Sequence, residues 1–152
     1  NGYAVAKWKN VTQAGEAGSD PVGQFVDIDF PLFRLADVYL MYVEAALRGG
    51  GDVGTGLALF NQLRERAYGD ASNNAGSITL EDVLNERMRE LYWEGHRRTD
   101  LVRYGLFSGS AYVWQWKGND PNGTSIPENF NLYPLPFADI TANQNLVQNP
   151  GY

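Results

Sequence analysis

The sequence predicts a mainly α-helical fold with a loop-rich C-terminal segment and few short strands. Apolar residues recur at helical spacing in three stretches between residues 32 and 92. The triplet Gly49-Gly50-Gly51 separates the first two stretches, as expected for a turn between helices. Glycine, asparagine and proline are spread through residues 105–152, which favours loops over regular elements there.

The first two predicted helices form a hairpin of roughly tetratricopeptide size. Pro31 suits the first turn of one helix, and Asp52 or Thr55 can cap the other. Such a hairpin cannot bury its own face alone, so we expect the chain to be part of a larger protein. The apolar positions are Leu32, Leu35, Ala36, Tyr39, Leu40, Tyr42, Val43, Ala46 and Leu47, then Leu57, Phe60, Leu63, the stem of Arg64, and Ala67. The small residues that would allow close approach are Ala45, Ala46 and Ala58.

A third helix is predicted to start at residue 79, where Thr79 and Asp82 have the spacing of a capping box. A short helical segment after Gly95 carries residues 100–104. The opening segment, residues 1–29, is expected to hold a short strand from Tyr3 to Trp8 and then a loop. The core positions of the third helix are Leu80, Val83, Leu84, Met88, Leu91 and Tyr92.

Composition excludes several classes of function. A net charge of −6 argues against nucleic acid as a partner, because the phosphate backbone requires a basic surface. Without cysteine there is no disulfide, no thiolate nucleophile and no cysteine metal site. His96 is the single histidine, so an ordinary zinc site is excluded as well. We therefore expect no metal and no cofactor.

A dense run of charges between Glu86 and Arg103 admits two interpretations. Glu86, Glu90 and Glu94 recur every four residues and would form one stripe on a helix, with a spacing near the roughly 5–5.5 Å of a retaining glycosidase pair. A catalytic acid needs a raised pKa, however, and neighbouring guanidiniums lower it. The sequence therefore favours a structural ion-pair network made of Arg34, Asp37, Glu86, Arg87, Glu90, Glu94, Arg97, Asp100 and Arg103.

Aromatic residues supply the candidate ligand contacts. Tyr112, Trp114 and Trp116 alternate with other residues, so an extended strand would place all three rings on one face. Flat rings of this kind suit sugars, whose hydroxyl groups would bind the polar side chains that follow. Trp8 is a further candidate, and packing against the core is the competing explanation for all four. The polar residues that follow are Lys117, Asn119, Asp120 and Asn122.

Four motifs, in order along residues 30–152, resemble the SusD/RagB family. They are Arg34-Leu35-Ala36-Asp37 with Glu44-Ala45; Asn61, Arg64, Arg66 and Ala67; the run Glu86-Arg87, Glu90-Leu91, Glu94-Gly95, Arg97, Asp100-Leu101 and Arg103; and Tyr133-Pro134-Leu135-Pro136 with Leu146 and Gln148-Asn149-Pro150-Gly151-Tyr152. Val43, Leu135 and Gln144 depart from the family's usual residues. The match divides the chain into an opening segment, 1–29, and a family-like C-terminal domain, 30–152.

The resemblance implies a non-catalytic lipoprotein on the extracellular face of the outer membrane, attached only through a lipid anchor outside this chain. Such proteins bind glycans, or peptides in some branches, and pass them to a SusC-like TonB-dependent transporter. A glycan-binding function is therefore the first hypothesis. A peptide-binding or protein-interaction module is the alternative, and a glycoside hydrolase rests on the glutamate stripe alone.

Overall fold

The computed structural model describes residues 5–152, and the chain forms two compact units, Asn1–Glu94 and Gly95–Tyr152. The first unit contains α1 (Leu35–Ala45), a π-helical turn (Ala46–Gly50), α2 (Val53–Tyr68), a 3-10 turn (Ala71–Asn73) and α3 (Leu80–Glu90). The second contains α4 (Arg97–Arg103), 3-10 turns at Lys117–Asn119 and Glu128–Asn131, and α5 (Phe137–Ala142).

The predicted mainly α-helical class is confirmed. Within residues 5–152, β structure is limited to two isolated bridges, Val11–Ala17 and Gly109–Ile126. The same part of the chain holds no helix long and apolar enough to cross a membrane. The division into residues 1–29 and 30–152 stays a prediction.

Helices α1 and α2 form the predicted hairpin and enclose the core of the first unit with α3. Ala46 is buried at the hairpin, and a Cβ on Gly56 would lie 3.6 Å from the Cβ of Ala46. Ala45 and Ala58 are exposed, so the prediction that they mediate close approach is wrong. The distance of 3.6 Å is an ordinary van der Waals contact, so the small side chain of Ala46 leaves room for α2 beside it. The buried core is Ala36, Leu40, Val43, Phe60, Leu63, Ile78 and Val83.

Helix α1 begins later than the apolar pattern predicts. Its first residue is Leu35, and Arg34 before it has extended backbone angles. Leu32 is 78% exposed, so it lies outside the helix and outside the core. The guanidinium of Arg34 reaches residues 90 and 94 from this extended position.

Two capping predictions are confirmed. Asp52 caps α2 by accepting a hydrogen bond from the backbone N–H of Thr55 at 2.6 Å. The capping box of α3 is complete: Thr79 Oγ1 accepts from Asp82 N–H at 3.2 Å, and Asp82 Oδ2 accepts from Thr79 N–H at 2.8 Å. Each cap satisfies backbone donors that the first helical turn leaves without partners.

Helix α3 ends sooner than the sequence indicates. It stops at Glu90, and Trp93 adopts a left-handed backbone with φ of 62°. Glu94 therefore lies beyond the helix, and the predicted three-glutamate stripe on one helix face is wrong. Met88 and Tyr92, predicted in the core, are 41% and 52% exposed.

The opening strand predicted from Tyr3 to Trp8 falls partly outside the described residues. Residues 5–8, which are described, run through irregular backbone and a turn rather than a strand.

The second unit is held together by side-chain contacts from its tail. Tyr152 Oη donates to the carbonyl of Leu132 at 2.8 Å, and Gln148 exchanges two hydrogen bonds with the backbone of Leu135. Arg98 of α4 stacks on Tyr133, with its guanidinium carbon 4.0 Å from the ring centroid. The end of the chain is thus a packing element of this unit.

Candidate ligand-binding site

The aromatic segment of the second unit is a turn and not the strand that the alternation predicts. Trp116 has a left-handed backbone with φ of 68° and precedes the 3-10 turn Lys117–Asn119. Tyr112 and Trp114 still contact each other, with ring centroids 5.3 Å apart and planes inclined by 52°. Trp116 is 64% exposed and Trp114 41%, so both rings present surface to solvent.

A short polar sequence makes the backbone turn back at this point. Asp120 accepts hydrogen bonds from the backbone N–H groups of Asn122 and Gly123, as aspartate does at turn starts. The backbone N–H of Trp116 donates to the Asp120 carbonyl at 3.0 Å. A Cβ on Gly123 would collide with the carbonyl oxygen of Trp114, so only glycine fits there.

Two cations support the pair of rings. The guanidinium of Arg97 lies 5.8 Å from the Tyr112 ring centroid and donates to Tyr112 Oη at 3.0 Å. The ammonium of Lys117 lies 4.8 Å from the Trp114 ring centroid and donates to the Tyr112 carbonyl. Burial lowers the pKa of Lys117. Lys117 was expected to meet a ligand, but it is 1% exposed and lies beneath the rings instead.

Trp8, the fourth aromatic candidate, belongs to the first unit. Its ring centroid lies 5.5 Å from that of Phe30, and its Nε1 donates to the Trp93 carbonyl at 3.3 Å. A small apolar cavity of about 220 Å³ is lined by Trp8, Val26, Ile28 and Phe30.

Arg34 is the centre of the ion pairs in the first unit. Its Nε and Nη2 lie 2.8 Å from the two carboxylate oxygens of Glu94, and its Nη1 lies 2.9 Å from Glu90 Oε1. Lys7 is a second partner of Glu94, and Arg66 contacts Glu90 Oε2 at 2.6 Å. Burial raises the pKa of Glu94, but hydrogen bonds from Arg34 and Lys7 outweigh it and leave that pKa below its ordinary value.

Other charges of the first unit pair both between helices and within them. Arg87 contacts Asp37 at 2.8 Å, and both side chains are buried. Glu86 accepts from Arg64 of α2 at 3.2 Å and from Arg89 at 2.6 Å. A general acid would need a raised pKa, whereas the carboxylates here receive guanidinium donors.

In the second unit Arg103 contacts Asp100 at 2.8 Å, and Asp100 is 1% exposed. Within each unit, the structure brings residues of the predicted network into contact with one another. Within residues 5–152, no cluster of three or more His, Cys, Asp or Glu could hold a metal ion.

A cleft of about 460 Å³ lies between α1 and α2. It is mainly apolar, with two arginines at its edge that also contact Glu90. Its lining residues are Arg34, Leu35, Ala36, Tyr39, Gln62, Leu63 and Arg66. The apolar pattern of the sequence did not reveal this cleft, because Leu35 was assigned to the core and is 64% exposed.

The fold places this chain in the class of helical proteins built on tetratricopeptide-like hairpins. It adds arginine-centred ion pairs and an exposed aromatic turn to that hairpin. The chain belongs to the SusD family, whose model matches residues 1–152.

Starch-binding protein SusD of Bacteroides thetaiotaomicron is 41% identical over all of this chain, which covers 26% of that protein. SusD-like protein P25 of Formosa agariphila is 31% identical over 80% of the chain and 24% of its own length. The solved structure of a putative sugar binding protein from Bacteroides vulgatus is similar to this chain, with a TM-score of 0.66 and 29% identity. The match covers 95% of this chain and 34% of that protein's chain. The chain therefore spans about a quarter of the length of the curated relatives it matches.

Proposed function

We propose that this chain is part of a non-catalytic, cell-surface glycan-binding protein. The observation that carries the proposal is the exposed aromatic turn, in which Tyr112, Trp114 and Trp116 lie beside Asp120 and Asn122. Apolar ring faces can stack on the C–H faces of a sugar, while the neighbouring carboxylate and amide bind its hydroxyl groups. The names of a starch-binding and a sugar-binding relative support a glycan as ligand.

The glutamates have a structural function in this proposal. Glu86, Glu90 and Glu94 each accept hydrogen bonds from arginines, so none has the apolar surroundings that a glycosidase acid requires. The protein captures a glycan and leaves it intact.

Capture is the first of two steps in our proposal. The bound oligosaccharide is then delivered to a SusC-like TonB-dependent transporter in the outer membrane, and the protein is held at the extracellular face by a lipid anchor. The family resemblance of the sequence supports both points.

Calorimetric titration of the complete protein with a panel of soluble glycans tests the proposal. The panel contains maltoheptaose, a fragment of starch, and an anionic oligosaccharide of similar length, because Asp120 on the turn disfavours acidic sugars. We expect saturable binding of the neutral glycan, which is recovered at its original length. A shortened product, or no binding by any glycan, would contradict the proposal.

A peptide ligand is the second candidate function, and the cleft between α1 and α2 favours it. Leu35, Tyr39 and Leu63 give the cleft apolar walls suited to side chains of an extended or helical peptide. Titration with a mixed peptide library distinguishes the two: peptide binding that is lost in Tyr39→Ala but retained in Trp116→Ala would favour the cleft.

A further inference from the structure

Lys117 is among the most completely buried side chains of the described residues, at 1% exposure. Burying an ammonium group is costly, and lysine is rarely found fully buried unless its charge has partners. The groups that contact the Lys117 ammonium are uncharged. They are the carbonyl oxygen of Tyr112, the carbonyl oxygen of Leu106 at 3.5 Å, and the ring of Trp114.

These contacts connect the lysine to both rings of the aromatic pair. Its hydrogen bond to the Tyr112 carbonyl fixes the backbone that carries the first ring. Its position 4.8 Å from the centroid of Trp114 is within the range of a cation–π interaction with the second ring. The ammonium of Lys117 therefore contacts both halves of the Tyr112–Trp114 pair, whose ring centroids lie 5.3 Å apart.

The backbone on either side of Lys117 has unusual angles at Trp116, whose ring is exposed. Trp116 and Asn119 have positive φ angles of 68° and 62°, a region that asparagine tolerates but tryptophan rarely adopts. Hydrogen bonds from Lys117 N–H to the Trp114 carbonyl and from Thr124 N–H to the Lys117 carbonyl, each 3.0 Å, keep the turn closed. Strain of this kind is typical of sites that are organised before the ligand binds.

We propose that Lys117 is a positioning residue for the aromatic turn: its buried ammonium fixes Tyr112 and Trp114 before a glycan binds. This inference rests on the proposed function. Lys117 does not touch the ligand. It reduces the number of ring orientations in the free protein, so less conformational entropy is lost on binding.

The test replaces Lys117 by methionine in the complete protein, which keeps most of the side-chain volume and removes the charge. We expect the dissociation constant for maltoheptaose to rise about tenfold, and the indole N–H resonance of Trp114 to shift and broaden in the free protein. Lys9→Met, at an exposed position in the first unit, is the matched control and should leave both readouts unchanged. If Lys117→Met does not fold, Lys117→Gln keeps one N–H donor for the Tyr112 carbonyl and is judged by the same two readouts.

The two readouts separate the failure of this inference from the failure of the proposed function. If the wild-type protein binds maltoheptaose and the Lys117 variant binds it equally well, the inference is wrong and glycan binding stands. If the wild-type protein binds no glycan, the proposed function fails, and the indole resonance still decides whether Lys117 orders the ring. A variant with a lower melting temperature but an unchanged indole resonance and affinity would show a purely structural lysine.

Discussion

Arg34 and Glu94 meet in a two-point ion pair, with guanidinium Nε and Nη2 each 2.8 Å from a different carboxylate oxygen. The carboxylate side chain is 2% exposed, so water hardly competes with the arginine for it. Bidentate pairs of this type combine two charge-assisted hydrogen bonds in one fixed geometry. The pair links the residue before α1 to a residue beyond the end of α3.

Removing Arg34 should strongly destabilise the first unit. Arg34→Ala leaves the buried carboxylate of Glu94 without its main partner, and breaking a buried pair from one side costs about 3–5 kcal/mol. Arg66→Ala is the matched control, because that side chain is 60% exposed and its partner Glu90 keeps Arg34. Urea unfolding measures both, and we expect about 1 kcal/mol or less for the control. If both variants lost the same free energy of unfolding, the pair of Arg34 with the buried Glu94 would be no more important than an exposed pair.

Acid should remove part of this stability. Burial is the largest single effect on Glu94 and raises its pKa. The hydrogen bonds and charges of Arg34 and Lys7 together outweigh burial, so the pKa of Glu94 is lowered in the folded chain. A carboxyl group whose folded pKa is depressed contributes stability above its unfolded pKa, and that contribution is lost as the pH falls through the folded value. Glu94→Gln should therefore be less stable than wild type at pH 7 and lose less stability on acidification below about pH 4.5. Urea unfolding at several pH values checks this, and parallel pH profiles would contradict it.

Trp116→Ala tests the exposed ring of the aromatic turn. Because the side chain is 64% exposed, we expect a melting temperature near that of wild type and a roughly tenfold weaker affinity for maltoheptaose, or about 1.4 kcal/mol. Trp93→Ala, at a 62% exposed position in the first unit, is the control and should retain the affinity. A large fall in melting temperature without loss of affinity would show that Trp116 packs rather than binds.

Gly123→Ala tests the shape of the same turn without changing an aromatic residue. The new Cβ would collide with the carbonyl oxygen of Trp114, in a backbone that already has a φ of 75°. Gly105→Ala is the control, since its φ of 69° gives similar strain but its Cβ would meet nothing within 4 Å. We expect Gly105→Ala to lose about 1 kcal/mol of stability from strain, and Gly123→Ala to lose more than that because of the collision. Only Gly123→Ala should also lose affinity for maltoheptaose. Unchanged affinity in both would show that the turn adapts.

Local signals in the sequence were sufficient for the presence of α1 to α4 and for the caps of α2 and α3, whereas α5 lies in a segment predicted as loop. Asp52, Thr79 and Asp82 cap through neighbours only a few residues away, so their spacing alone predicts the bonds. The start of α1 and the end of α3 were missed, and the residues that flank these two ends, 34 and 94, pair with each other across 60 positions. A pairing between residues so far apart in the chain cannot be predicted from a local sequence pattern.

The candidate site shows the same limit. Alternation predicted the residues Tyr112, Trp114 and Trp116 but also a strand, because left-handed angles at tryptophan are rare and cannot be read from periodicity. The burial of Lys117 gave no signal either. A lysine among polar turn residues is exposed in most proteins, and only the fold of residues 106–124 encloses it.

The salt bridge between Lys7 and Glu94 joins positions that are 87 residues apart in the chain. The segment before α1 and the turn after α3 are therefore held against each other by their side chains, so loosening either one would expose the other to water.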